Sequence, residues 1–363
     1  MGKIRETWWR LAQLAAHEWR GRRHRQVHFV TDYANWSFKW DAHYITTGLS
    51  QHLHDVVPVI TTPWHLRHQI ILFGNRYPWF FGPRHRLHRS NTVFLTWFHG
   101  DPADTNERMQ EMFKQLPHIF DRMAGVIVTC QISRNILIDH GVAEDKLITI
   151  PLGVDLQTFC PPTPEDKKRI RADLNIPEGA FCVGSFQKDG TGWGDGLDPK
   201  LVKGPDVFLD ALARVTIPKE RLLVFLTGPA RGYVKNGLDQ LGIPWRHLYV
   251  DEYLDIVPCY QALDAYVIAS RAEGGPKALM ESWACGVPVV STRVGMPADR
   301  IQTGVNGMLA DVEDSRALAE ALDALFYRTD LYQTCRTGGL DSVQALDWHY
   351  IAQGYFDAIK NHL

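Results

Sequence analysis

The chain lacks any run of the roughly eighteen apolar residues that a membrane-spanning helix requires. Its apolar patches near the start are interrupted by Arg10, Gln13, His17 and Glu18, so neither a span nor a secretory leader is expected. Its six cysteines, at 130, 160, 182, 259, 285 and 335, never fall at C-x-x-C spacing, which argues against zinc clusters and redox dithiols. They read instead as buried thiols of a reducing, cytoplasmic compartment. Extremes of composition are missing too: of 363 residues, 45% are hydrophobic and 22% charged, with a formal net charge of −2. That excludes disordered and collagen-like chains, and the length suits two domains, each with its own core. Acid is absent from residues 63–90, which carry Arg67, Arg76, Arg84, Arg86 and Arg89. Residues 1–26 are also basic, with seven Lys and Arg against Glu6 and Glu18. No nucleic-acid motif accompanies these runs, so a nucleic-acid partner is not expected.

What is present is an alternation of short apolar strands with helical patterns. Strands are predicted at 26–31, 56–60, 93–98, 125–129 and 147–150, with helices at 40–53, 109–120 and 133–140. A polar, proline-containing stretch, 160–177, reads as a hinge. Beyond it, strands are predicted at 182–185, 222–227, 248–250, 265–269 and 287–291. The fold class is α/β: two Rossmann-like, doubly wound parallel-sheet domains, 1–155 and 156–340, and a closing helix in 341–363. Ligands of such sheets lie outside the carboxyl ends of the strands, here expected in a cleft that the two domains face.

Two carboxylates eight positions apart, Glu273 and Glu281, stand out in Arg271-Ala272-Glu273-Gly274-Gly275-Pro276-Lys277-Ala278-Leu279-Met280-Glu281. The run joins a strand to a helix that ends at Cys285-Gly286, so one acid sits in the loop and the other two turns into the helix. A helix N-terminus offers backbone N–H groups and positive dipole to a diphosphate. The helical carboxylate then suits the paired hydroxyls of a ribose, and the loop carboxylate those of a sugar. The alternative is a solvated i,i+4 pair of Lys277 with Glu281.

The stretch from Glu273 to Val290 resembles the donor-site motif of the retaining GT-B glycosyltransferases of family four, E-G-x-P-N-x-L-x-E-x-x-A-C-G-x-P-V-V. Pro151-Leu152-Gly153-Val154-Asp155 to Phe159 is similar to that family's P-N-G-V-D-x-x-x-F, and Thr303 to Leu309 to its D-G-x-N-G-x-L. The resemblance is strong from about residue 125 onward. It implies a nucleotide-diphosphate sugar as donor substrate, a glycan or lipid-linked acceptor, retention of configuration, and no cofactor or metal. It also implies site residues. Lys203 matches a lysine placed on the diphosphate, and a second basic position falls on Gln187 or Lys188, where arginine is missing. Gly228 marks a turn beside the nucleotide; Arg231 reads either as a phosphate contact or as a solvated loop arginine. Tyr253 is expected against the base, Glu281 on the ribose, and Gly274, Gly275, Pro276, Lys277, Ala278 and Leu279 around the phosphates, with neighbours serving for Pro276, which has no N–H. The catalytic set is His99, Glu273 and Lys203.

The glycines between Lys188 and Lys203 read as a mobile flap over the donor, or else as a disordered insertion. Val294-Gly295-Met296-Pro297-Ala298 departs from the family's G-G-x-P-E by one glycine and one acid, and the glycine-rich loop usual after the first strand is replaced by Asn35 to Asp41. Ile4, Trp8, Leu11, Ala15 and Trp19 recur at helical spacing among arginines, and Trp79-Phe80-Phe81 lies between others. Residues 1–25 and 63–90 are therefore expected either to lie on an anionic membrane, placing the protein peripherally on the inner face, or to pack against the protein itself. A catalytically inactive nucleotide-sugar-binding protein and a GT-B epimerase are the alternatives to a transferase.

Overall fold

The computed structural model describes residues 25–31, 37–104 and 106–363, and the expected amphipathic stripe at 4–19 lies outside them. The described residues fall into two compact units, one within 1–128, 133–150 and 348–363, the other 129–132 and 151–347.

In the first unit, β1 (Val27–Val30), β2 (Val59–Ile60), β3 (Ile70–Phe73), β4 (Thr92–Trp97), β5 (Gly125–Val128) and β6 (Leu147–Thr149) make one parallel sheet in the order β2-β1-β3-β4-β5-β6. β3 is a central strand that the sequence reading did not identify. Its four apolar residues are all buried, yet they sit inside the arginine-rich 63–90 segment, whose charge masks so short a run. That segment is mostly integrated into the core: Trp79 and Phe80 are buried, and only Phe81 of the aromatic triplet is exposed, with Arg108 5.5 Å over its ring. The helix Trp348–Ile359 also belongs to this unit and packs on the helix Ser37–Leu53. Gly48 makes that approach possible, since a Cβ there would lie 2.3 Å from the Ala352 Cβ, and Tyr44 stacks on Trp348 at 5.4 Å.

In the second unit, β7 (Phe181–Ser185), β8 (Leu222–Thr227), β9 (Trp245–Leu248), β10 (Ala265–Ile268), β11 (Val289–Thr292) and β12 (Met308–Ala310) form a parallel sheet in the order β12-β11-β10-β7-β8-β9. β12 was also missed, being three residues long with two of them only half-buried. The expected hinge at 160–177 holds a helix, Pro164–Asp173. Thr163 caps it by accepting from the Asp166 amide, Pro164 supplies the first turn, and Lys167 and Arg171 from one face both pair with Asp264. Five cysteines are buried and Cys160 is exposed, contrary to the expectation for all six. Burial raises the Cys259 thiol to about 12, which makes it an inert packing group.

Candidate functional site

The order of the second sheet reverses between β7 and β10: β8 and β9 extend from one side, β11 and β12 from the other. Loops leaving the carboxyl ends of β7 and β10 therefore diverge and leave a crevice, the general ligand position of open α/β sheets. Of the expected residues, Gln187, Lys203 and Glu273 are bonded together there. After β7, the Gln187 amide donates to the Lys203 carbonyl at 2.8 Å. After β10, Ser270 Oγ donates to Glu273 Oε1 at 3.0 Å and lies 3.4 Å from Gln187 Oε1. Lys203 Nζ closes the set with a 2.5 Å ion pair to the same Glu273 oxygen, the two side chains being 24% and 9% exposed. Ser270 was not singled out in the sequence; its signal is a lone hydroxyl ending an apolar strand three residues before Glu273.

Backbone requirements fix this arrangement. Lys203 ends a short 3-10 turn, and Gly204 follows at φ +63, where a Cβ would meet the Ala269 carbonyl oxygen at 1.9 Å. Only glycine allows the turn to seat against the end of β10. Arg271 holds the same turn from the other loop, forking onto both Asp206 oxygens at 2.8 Å and reaching the Leu201 carbonyl at 2.7 Å. The Asp206 carboxyl is held below its ordinary range chiefly by that Arg271 bond.

The loop bearing Glu273 is packed as tightly. Gly295 sits at φ +44, where a Cβ would lie 2.3 Å from the Gly274 carbonyl oxygen, and the Met296 amide donates to that oxygen at 2.8 Å. Gly275 leaves room for Met296 Sδ and Leu152. The departure from the family pattern at 294–298 thus retains the glycine that the close approach needs. Ala298 lies in the helix Gly295–Arg300, and the neighbouring Asp299 accepts from the Gln131 amide at 2.8 Å.

Pro276 caps the helix Lys277–Ala284 without a side-chain bond. Lys277 and Ala278 are half-buried at its head, Leu279 is buried, and the Leu279 amide is committed to the Pro276 carbonyl at 3.0 Å. Glu281 is 3% exposed, so it is not one of a solvated surface pair. The Tyr253 hydroxyl donates to Glu281 Oε1, and the Lys277 ammonium stands 5.4 Å from the Tyr253 ring. Tyr260 lies beside the same carboxylate; burial, then the Glu281 charge, raises its phenol well above the ordinary value. Glu281 is therefore a buried carboxyl group bonded by two phenols.

Arg231 answers to neither sequence expectation. It is 1% exposed, and its five N–H donors meet Asp189 twice at 2.9 Å, the Ser185 and Thr227 carbonyls at 2.6 and 2.7 Å, and Ser185 Oγ at 3.2 Å. With no donor left, it is neither a solvated loop residue nor a phosphate contact; it ties the ends of β7 and β8 to Asp189. The Asp189 carboxyl is pushed up by burial, against the pull of Arg231. The same pair roots the glycine-rich segment, which is built into the unit. Gly190 bridges Pro199, the Thr191 amide donates to Asp198, and the Gly232 and Tyr233 amides donate to the Asp195 and Gly196 carbonyls at 2.6 and 2.8 Å. Gly190 and Gly196 both pass so close to the Ala230 backbone that a Cβ would lie 2.3 Å from it. From this root Trp193 stands 72% exposed, with Lys188 Nζ 3.8 Å from its ring centroid. Gly228 takes φ +83 at the end of β8, and its carbonyl accepts from His247 Nε2 at 2.8 Å. His99 belongs to the first unit, exposed just past the end of β4, and its carbonyl accepts from Arg76.

Residues 196–327 match the family model for glycosyl transferases group 1. The chain is 28% identical over 236 residues to D-inositol 3-phosphate glycosyltransferase 1 of Catenulispora acidiphila, covering 61% of this chain and 53% of that one. It is 29% identical over 231 residues to the D-inositol 3-phosphate glycosyltransferase of Xylanimonas cellulosilytica, covering 60% and 52%. The chain thus spans about half the length of the curated relatives it matches. Among solved structures it resembles Anabaena Alr3699/HepE in complex with UDP and glucose, at TM-score 0.74 and 19% identity, covering 93% of this chain and 100% of that one. It also resembles sucrose-phosphate synthase from Thermosynechococcus elongatus, at TM-score 0.67 and 19% identity, covering 91% of this chain and 80% of that one.

Proposed function

We propose that this chain of GT-B fold, whose residues 196–327 match the model for glycosyl transferases group 1, transfers a sugar from a nucleotide diphosphate to a hydroxyl acceptor. The observation that carries the reading is the convergence of Lys203, Gln187, Ser270 and Glu273 at the β7/β10 switch point, beside a helix whose second turn buries Glu281. That the structural relative Alr3699/HepE was solved in complex with UDP and glucose supports a nucleoside diphosphate as the ligand. Glu281 takes the ribose hydroxyls, Lys203 and Lys188 take the diphosphate with the helix head at Lys277 and Ala278, and Glu273 takes hydroxyls of the sugar. As the sugar–phosphate bond breaks, negative charge grows on the leaving diphosphate and positive charge on the sugar. Lys203 and Glu273, already paired, stand ready to face the two. The retaining course follows the family resemblance, with the acceptor arriving on the face the diphosphate leaves.

The reading is checked by calorimetric titration of UDP. Wild-type protein binds, and Glu281→Ala weakens binding about 10- to 100-fold, as expected for losing charge-assisted bonds of about 1.5–3 kcal/mol. Equal binding by the two proteins removes Glu281 from the ribose. The acceptor we propose is lipid-linked, the basic 1–25 segment holding the protein on an anionic leaflet. Sedimentation with anionic liposomes then falls on removal of residues 1–22, and equally negligible binding of both forms ends that part of the reading.

A further inference from the structure

The first sheet has its own switch point. β2 lies on one side of β1, while β3 to β6 lie on the other, so the order reverses between β1 and β3. A ligand crevice is expected outside their carboxyl ends. β3 delivers Gly74-Asn75-Arg76 to that place. Gly74 is required there, because its amide donates to the Val30 carbonyl at 2.9 Å and a Cβ would strike the Phe29 ring at 2.3 Å.

The two side chains that follow are buried yet incompletely bonded. Asn75 is 1% exposed; its Oδ1 accepts from the Tyr77 amide at 3.0 Å, and its Nδ2 has no partner. Arg76 is 3% exposed; one Nη donates to the His99 carbonyl, the other lies 3.8 Å from Met109 Sδ, and the Tyr77 side chain gives it a further hydrogen bond. Its Nε has no partner, nor has Nε1 of Trp97, on whose ring the guanidinium is stacked at 4.5 Å. Among the described residues no carboxylate pairs with Arg76; Tyr77 supports it by charge and by a hydrogen bond, and Asp104 by charge alone. Burial accordingly drags its guanidinium below the ordinary value. The contrast with Arg231 is direct: both arginines are buried at strand ends, and one has a bidentate carboxylate. The orphaned groups around Arg76 are all donors, and residues 56–100 hold five arginines and no acid. A buried cation is costly unless an anion completes it.

We propose that Arg76, with Asn75, is the receptor for an oxyanion, a phosphate or a carboxylate, carried by the acceptor. The word acceptor rests on the function proposed above; the anion site rests on the first unit alone. Tyr77, 38% exposed with its ring 5.4 Å from the guanidinium, is the cover an incoming anion must displace or join.

The test uses full-length protein with UDP saturating the second unit, at ionic strength matched with chloride. Glucose, glucose 6-phosphate and glucuronate are titrated by thermal shift and calorimetry. A charged sugar is expected to bind and to raise the melting temperature where glucose and chloride do not, and whichever charged sugar does so identifies the group. Arg76→Met weakens that binding at least tenfold and leaves UDP affinity unchanged; Arg76→Lys, which keeps charge but not the fork, falls between. Should Arg76→Met fail to fold, Asn75→Leu takes its place with a loss of about threefold or more. The proposal is overturned if neither charged sugar outperforms glucose and chloride, or if the variants bind them as wild type does. Failure to bind UDP defeats the transferase reading instead, and the charged-sugar titrations then decide the anion site without it.

Discussion

Lys203→Ala is expected to lower kcat about 10²- to 10³-fold, the usual effect of removing one preorganised group aimed at charge that develops during reaction. The ammonium is held before any substrate arrives. Gly204 locks the preceding turn against Ala269, Arg271 braces it, and Glu273 fixes the amine at 2.5 Å. Its contribution to ground-state binding is smaller, because the diphosphate must share it with Glu273. UDP affinity should therefore change less than kcat, and by much less than in Glu281→Ala. Lys203→Arg should recover little, since the short reach to Glu273 in a half-buried site suits a point charge rather than a planar fork. Steady-state kinetics with UDP-sugar donors, read beside UDP titration, checks both. A kcat within twofold of wild type would detach Lys203 from the leaving group.

Arg231→Met should produce the largest loss of stability, about 3–5 kcal/mol, because it strands Asp189 as a buried, uncompensated charge. Two carbonyls and the Ser185 hydroxyl lose donors at the same time. Equilibrium denaturation measures the loss, and limited proteolysis should show cleavage within 190–199, whose root the pair secures. The double variant Asp189→Leu with Arg231→Met removes both charges and should lose markedly less than Arg231→Met alone. If the two variants are equally destabilised, the ion pair is not what holds this root, and packing of Gly190 and Gly196 against Ala230 must be.

Much of the second unit was legible because its signals are local. A strand, a glycine turn and a capped helix in succession place Glu273 and Glu281 without knowledge of the rest of the chain, and both carboxylates lie where that succession puts them, out of bulk water. Partners distant in sequence were not legible. Arg231 and Asp189 are 42 residues apart, and each alone reads as an ordinary loop charge. The glycines of 190–196 signal freedom when read singly, whereas in the fold they permit close contact with Ala230. β3 was hidden for the reason opposite to the one that exposed the donor motif: four apolar residues between arginines carry little periodicity, and only their burial on both faces identifies them. The Tyr253 hydroxyl on Glu281 was likewise invisible, since the two are 28 residues apart on different elements.

The helix Trp348–Ile359, seated on Gly48 and Tyr44, sets an order of events during synthesis. The face of the helix Ser37–Leu53 that bears Tyr44, Gly48 and His52 lies under it in the finished protein. While a ribosome is still making the second unit, that face has no cover, because the segment that completes it comes some three hundred residues later. The half of the chain translated first is thus the half finished last, and nascent protein arrested before residue 348 should be the form that chaperones retain.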